Sequence, residues 1–125
     1  MNLHLDFPMS LAKFLEKVRK NEPVSFQDTI SIISEHYDYH PVEFSNGLGD
    51  QRLVNSAGVN EGSCKIFAFA LLHDLDKQQT LSLFGDFYRQ EVLADPEGKS
   101  HQNIRNFIKY GWEGVQFEEM PLEEK

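Results

Sequence analysis

The 125-residue chain has a single cysteine, Cys64, so no internal disulfide can form. Nothing in the cysteine content therefore indicates an oxidising compartment. The longest apolar run, residues 66–72, is far shorter than the roughly twenty residues that a membrane-spanning helix needs. The first residues also lack a basic start followed by an apolar stretch, so we expect no cleavable signal peptide and no membrane partner.

Basic residues are scarce as well. Lys and Arg number 12 against 20 Asp and Glu, which gives a formal net charge of −8. Nucleic-acid-binding modules are usually basic or have a basic face, so no nucleic acid is expected as a partner. The acidic residues are concentrated near the carboxyl-terminal end, where five glutamates in residues 113–125 predict a solvated tail.

Apolar residues, in contrast, are plentiful. They make up 40% of the chain and include ten phenylalanines, which is enough for one hydrophobic core. We find no repeat, low-complexity stretch or long linker, and the composition argues against disorder. The sequence therefore predicts a single domain over residues 1–125.

The most apolar stretch predicts a helix over about residues 63–73. From Cys64 to Leu72 only Lys65 is polar, and a helix that is apolar on every side is typical of the middle of a fold. Apolar periodicity and capping residues predict four further helices, at residues 10–20, 25–37, 76–92 and 100–110. Gly85 inside the fourth of the five would cost about 1 kcal/mol relative to Ala, and we interpret it as a close approach to the central helix.

Short strands complete the predicted fold. Val42 and Phe44 alternate with polar residues, Asn46-Gly47 is a tight-turn signal, and residues 52–55 resemble a returning strand. Alternation over residues 115–118 predicts one late strand. The fold class is α+β, with about five helices around a central buried helix (about 63–73) and a small two- or three-stranded antiparallel sheet.

Cys64 is the first candidate for chemistry because it opens the central helix. The free amides of the helix start and the Lys65 cation would favour a thiolate and lower its pKa. A cysteine enzyme also needs a histidine base, and His73 lies roughly 13 Å further along the helix axis. The base would have to be His4, His36, His40 or His101. The alternatives are that Cys64 packs as a small apolar side chain or is one wall of a polar ligand pocket.

Two other groups of residues suggest ligands. If residues 36–40 are extended, His36, Asp38 and His40 project to one side and would suit zinc or iron. A surface turn anchored by Tyr37 and Tyr39 explains the same residues, and we therefore predict no metal and no cofactor.

The last helix holds the second group. His101, Arg105 and Lys109 recur every four residues and, with the free amides near Ser100, could receive an anion. A solvated helix face is the alternative. Polarity at the predicted element ends marks the candidate ligand-binding residues. They are Glu61, Ser63, Lys65, His101, Asn103, Arg105, Tyr37 and His40, with Cys64 as the candidate nucleophile.

Several stretches together resemble the HopJ family of type III effectors, over about residues 10 to 122. They are Tyr37-Asp38-Tyr39, Phe44-Ser45-Asn46-Gly47, the run from Asn55 to Phe67, Thr80-Leu81 with Phe84-Gly85, Tyr88-Arg89, and the run from His101 to Phe107 followed by Gly111-Trp112. The resemblance implies no reaction, cofactor or catalytic residue. It does imply injection from the bacterial cytoplasm into a host cell by a type III system.

We therefore expect a small binding or interaction protein, with a polar cleft at the start of the central helix that holds a host protein or a small polar ligand. The alternative activity is a cysteine-dependent enzyme that uses Cys64 as nucleophile and a histidine as base. The expected location is the bacterial cytoplasm, because a helix that starts by Ser10 leaves little room for a flexible export segment. Secretion into a host cell by a type III system is the alternative that the resemblance implies, and a housekeeping bacterial protein is its rival.

Overall fold

The computed structural model describes residues 10–125 and confirms the α+β class. In chain order the helices and strands are α1 (Leu11–Arg19), α2 (Phe26–His36), β1 (Tyr37–Tyr39), β2 (Phe44–Asn46), β3 (Leu53–Asn55), α3 (Glu61–Leu72), α4 (Lys77–Ser82), α5 (Gln102–Tyr110), β4 (Gln116–Phe117) and β5 (Leu122–Glu124). A π-helical segment covers Phe87–Val92, and 3-10 turns cover Gly49–Gln51 and Gly111–Gly114.

The predicted central helix is α3, which starts two residues earlier than the apolar pattern indicates. Cys64 and every residue from Ile66 to Ala70 are at most 1% exposed. The ring of Phe67 packs against the rings of Phe44, Phe84, Phe107 and Trp112, with centroids 4.9–6.3 Å apart. The core of the fold is therefore built around one helix, as its uninterrupted apolar sequence requires.

Local capping signals place the surrounding helices. The Ser10 hydroxyl accepts a hydrogen bond from the Lys13 amide at the start of α1. Ser25 and Asp28 form a reciprocal capping box at α2, and Asp76 forms another with Gln79 at α4. These bonds satisfy amides that have no partner inside the helix, so the predicted starts of these helices are confirmed.

The strands form two antiparallel sheets. The larger has the order β3-β2-β4, in which Phe44 lies opposite both Asn55 and Phe117. This confirms the predicted hairpin and its late partner. The smaller sheet pairs β1 with β5, and Tyr39 lies opposite Leu122. Part of the acidic end is thus a strand, with Leu122 buried in the core, while the glutamates of residues 113–125 are exposed as predicted.

The helix predicted over residues 76–92 is wrong in its middle. The α-helix ends at Ser82, and Gly85 has φ +61°, a left-handed conformation that favours glycine. A Cβ at Gly85 would lie 2.6 Å from the backbone nitrogen of Phe26. The element that approaches Gly85 is therefore the start of α2 and not the central helix.

Candidate functional site

A cavity of about 480 Å³ lies where the start of α3 meets the start of α5. We call it the cleft. Polar residues from both helix starts line one part of it and aromatic or aliphatic residues line the rest. The lining residues are Phe26, Leu53, Asn60, Gly62, Ser63, Phe84, Phe87, His101, Gln102, Asn103 and Ile104.

The two helix starts are built alike. Asn60 and His101, the residues that precede α3 and α5, both adopt left-handed backbone angles, with φ of 54° and 53°. Within residues 10–125 no side chain caps either helix. The Ile104 amide in the first turn of α5 donates to the His101 carbonyl at 3.0 Å. Ser63 and Gln102 line the cleft, and amides at these positions have no acceptor within their own helices, so they are available as donors there.

Aromatic rings form the opposite wall. The rings of Phe26 and Phe87 meet edge to face with centroids 4.9 Å apart. The His101 ring lies against Phe87 at 5.1 Å, and its Nε2 is 2.7 Å from Oε1 of Glu91. Because Phe26, Phe87 and His101 are only partly buried, part of each ring stays accessible.

A network of asparagines fixes both helix starts to the hairpin. Asn60 and Asn103 each donate from Nδ2 to the Oδ1 of Asn55, at 2.7 and 2.9 Å. In return Asn55 donates to Oδ1 of Asn103 at 3.2 Å, and Asn46 donates to the Asn103 carbonyl at 2.8 Å. Asn46, Asn55 and Asn103 are at most 5% exposed. Oδ1 of Asn46 is buried and has no hydrogen-bond partner among the residues described. The other bonds of this network hold the surrounding backbone in one arrangement.

Asn106 and Gln102 extend this network on α5. Asn106 donates to the carbonyls of Asn46 and Gln51, each at 2.9 Å, and its Oδ1 accepts from Gln102. The sequence patterns did not mark Asn46, Asn55 and Asn106 as residues that shape the site. A signal was available for Asn46 and Asn55, since asparagine is disfavoured in strands, and all three lie in stretches that carry the family resemblance.

Cys64 lies outside the lining of the cleft, in the core. Burial raises the pKa of its thiol, and Glu61 raises it further, while Tyr39, the Val42 backbone and Lys65 act in the opposite direction. The expectation that the helix start lowers this pKa is therefore wrong. Because Cys64 is only 1% exposed, loss of solvation outweighs the groups that favour the thiolate.

Cys64 is accordingly expected to be unreactive in the folded protein. Iodoacetamide at pH 7 should modify it only after denaturant is added, because both a raised pKa and burial suppress the thiolate. Mass spectrometry of samples taken before and after unfolding checks this. Rapid modification of the native protein below pH 7 would contradict it and would revive the cysteine-enzyme alternative.

Glu61 and Lys65 do not line the cleft but lie near Tyr39 and Cys64. The Lys65 Nζ lies 4.7 Å from the centroid of the Tyr39 ring. The Tyr39 hydroxyl is buried and has no hydrogen-bond partner among the residues described. Burial raises its pKa, helped by the nearby Cys64 and Glu61. The first turn of α3 thus presents one face to the cleft through Ser63 and another to Tyr39.

Three other predicted site residues also lie away from the cleft. The Arg105 guanidinium donates to the carbonyls of Asp95 (2.7 Å) and Ser100, and so fastens the loop before α5. His40 forms an exposed pair with Glu119 at 3.0 Å. Tyr37 is buried in the core, with its hydroxyl 2.6 Å from Nε2 of His73. Of the predicted set, only Ser63, His101 and Asn103 meet at the cleft.

The metal alternative has no geometric support. His36 is the last residue of α2, whereas Asp38 lies on β1 and His40 follows that strand. Across residues 10–125 no group of three or more His, Cys, Asp or Glu side chains is placed to hold a metal ion. The three residues do not form a ligand set, because the helix continues to His36 and the stretch is not extended throughout.

The contact between Tyr37 and His73 predicts a pH dependence of stability. Burial lowers the pKa of His73, and Arg19 lowers it further, against weaker opposing effects of Glu124 and Asp74. A neutral imidazole can accept the Tyr37 hydrogen bond, but an imidazolium cannot. Since the unfolded state binds the proton more readily, stability is full above pH 6.5 and falls as the pH drops below it, by at most about 1.4 kcal/mol per pH unit.

Urea unfolding measured from pH 5 to pH 8 tests this dependence. The variant His73→Gln keeps an acceptor for Tyr37 but does not titrate, so its stability should fall less between pH 7 and pH 5 than that of the unmodified protein. His36→Gln, at a partly exposed position, is the matched control and should keep the full dependence. Equal slopes for His73→Gln and the unmodified protein would overturn the assignment.

None of the helices described is both long and apolar enough to cross a membrane.

Comparisons with known proteins extend these observations. The chain is similar to the crystal structure of VPA0580, a protein of unknown function, with a TM-score of 0.89 and 47% sequence identity over 96% of this chain and 98% of that one. Curated protein sequences give no match. The HopJ type III effector protein family matches residues 11–122, and the chain belongs to that family.

Proposed function

We propose that this protein works by binding a small polar ligand in the cleft between the starts of α3 and α5. The cavity carries this proposal, because about 480 Å³ lies within the 300–1,000 Å³ range that is usual for small-molecule sites. Its lining combines an apolar wall with a few converging polar groups, which is the common composition of such sites. The apolar wall would bury part of the ligand, and Ser63, His101 and the free amides would orient it.

The asparagine network supports binding by a preformed site. Asn55 bonds to both Asn60 and Asn103, so the two helix starts are held at a fixed separation before any ligand arrives. A site held by buried hydrogen bonds loses little conformational entropy on binding. The same rigidity explains why amide side chains are used in strands, where they are otherwise disfavoured.

Family membership supports the proposed setting of this function. The family is described as type III effector proteins. We extend that description to this chain as delivery into a host cell by a type III system, where the ligand or a host protein would meet the cleft. Binding is favoured over covalent catalysis because Cys64 is buried, has a raised pKa and does not line the cleft.

Filling the cleft tests the proposal. Ser63→Met would place a larger side chain in the cavity, whereas Ser34→Met, at an exposed position of α2, is the matched control. A panel of polar metabolites is screened by thermal unfolding. A ligand at ten times its Kd should stabilise the unmodified protein and Ser34→Met by about 1.4 kcal/mol, a Tm rise of about 4 °C, and leave Ser63→Met unchanged. Equal stabilisation of all three proteins would overturn the cleft as the site.

A further inference from the structure

We infer that the ligand of the cleft carries a planar heteroaromatic ring with a hydrogen-bond donor and an acceptor on one edge, as in a purine nucleoside. This inference rests on the proposed function and specifies its ligand class. Three features of the lining lead to it. They are partly buried aromatic rings, a side-chain amide with an unused hydrogen-bond donor and acceptor, and the lack of charged side chains among the lining residues described.

The aromatic wall favours a flat ring over an aliphatic chain. Phe26 and Phe87 are partly buried and meet edge to face, so their planes differ by 70°. Both residues line the cavity and are only partly buried, so aromatic surface contributes to its wall. His101, tilted by 34° to Phe87, extends the same wall. A base stacked on such a side chain gains about 1–3 kcal/mol, which a saturated ligand does not obtain.

The polar wall suits a heterocycle edge. Nε2 of Gln102 gives one proton to Asn106, which leaves its second proton and its Oε1 available. A side-chain amide with a free donor and a free acceptor can bind the adenine edge in a bidentate way. The Ser63 side chain also lines the cavity, and its hydroxyl can donate or accept a hydrogen bond.

No lining side chain described gives the cleft a fixed positive charge that would favour a strongly anionic ligand. Of the lining residues described, none is Lys, Arg, Asp or Glu. The one titratable ring, His101, already pairs with Glu91, and the protein as a whole has a net charge of −8. A phosphate group would thus find no fixed cation to pair with it. The geometry points to a nucleoside or free base rather than to a nucleotide.

The test uses adenosine, guanosine, AMP and ribose 5-phosphate as probes in amide NMR titrations of the full chain. At least one nucleoside should shift the amides of Ser63 and Gln102, AMP should bind no more tightly than adenosine, and ribose 5-phosphate should not bind. Gln102→Met removes the amide at similar size and should weaken nucleoside binding at least about fivefold. Gln116→Met, an exposed glutamine outside the cleft, should bind as the unmodified protein does.

Phe87→Leu gives a second variant that tests the ring face and should also weaken nucleoside binding at least about fivefold. Tighter binding of AMP or ribose 5-phosphate than of adenosine would overturn the inference and leave the proposed function standing. The same conclusion would follow if neither nucleoside bound but another metabolite stabilised Ser34→Met and not Ser63→Met. If no compound distinguishes Ser63→Met from Ser34→Met, the proposed function and the inference both fall.

Discussion

Gly85→Ala is expected to destabilise the protein by about 3 kcal/mol or more. The left-handed φ of +61° costs an L residue about 1–2 kcal/mol. The added methyl group would also lie 2.6 Å from the Phe26 nitrogen and 3.2 Å from Ser25 Cα, and backbone atoms cannot move aside as a flexible side chain can. Forcing a group into such a packed place costs typically another 1–3 kcal/mol.

The sign of this change tests the close contact at Gly85. In a continuous helix with no neighbouring element close to Gly85, alanine would stabilise the protein by about 1 kcal/mol. Gly49→Ala is the matched control, because Gly49 has φ +60° with no atom of the described chain near its added Cβ, and it should cost only about 1 kcal/mol. Urea unfolding of the three proteins measures the difference. A Gly85→Ala protein as stable as Gly49→Ala would contradict the close contact.

Local signals in the sequence account for the parts of the fold that were predicted. A cap such as Ser10 and the apolar run after Lys65 act over a few residues, so the chain itself displays them. Gly85 shows the limit of such local signals, because a glycine can indicate a close approach but not which element of the fold approaches it. The start of α2 is almost sixty residues earlier in the chain.

The site was predictable only in part for the same reason. Ser63, His101 and Asn103 could be selected from polarity at helix ends, and the fold brings them to one cavity. The expected direction of the Cys64 pKa shift was wrong, because burial sets that direction and tertiary packing, not the helix start, determines burial. Asn55 was missed because its bonds to α5 join it to Asn103, which lies 48 residues later in the chain.

Asn55→Asp is expected to cost about 3–5 kcal/mol at pH 7, which is the usual effect of an uncompensated buried charge. Asn55 is 1% exposed, and its Nδ2 donates to the carbonyl of Phe44 and to Oδ1 of Asn103. A carboxylate would present oxygen to these acceptors, although it would still accept from Asn60. The carboxylate would also keep the bond from Asn103 Nδ2, but repulsion from the Asn103 Oδ1 would displace the start of α5, so ligand binding should fall with stability.

The pH dependence of the destabilisation shows whether a buried charge or simple loss of packing causes it. A buried carboxyl among acceptors has a pKa raised above the ordinary value of about 3.9, because the neutral form can donate to a neighbouring oxygen. The folded state then binds the proton more readily than the unfolded state, so the penalty is smallest below pH 4 and grows as the pH rises through the raised pKa. Urea unfolding at pH 4.5 and pH 7 should show the gap to the unmodified protein widening. Asn21→Asp, exposed and outside the network, should show a small gap that hardly changes, and a constant gap for Asn55→Asp would remove the buried-charge explanation.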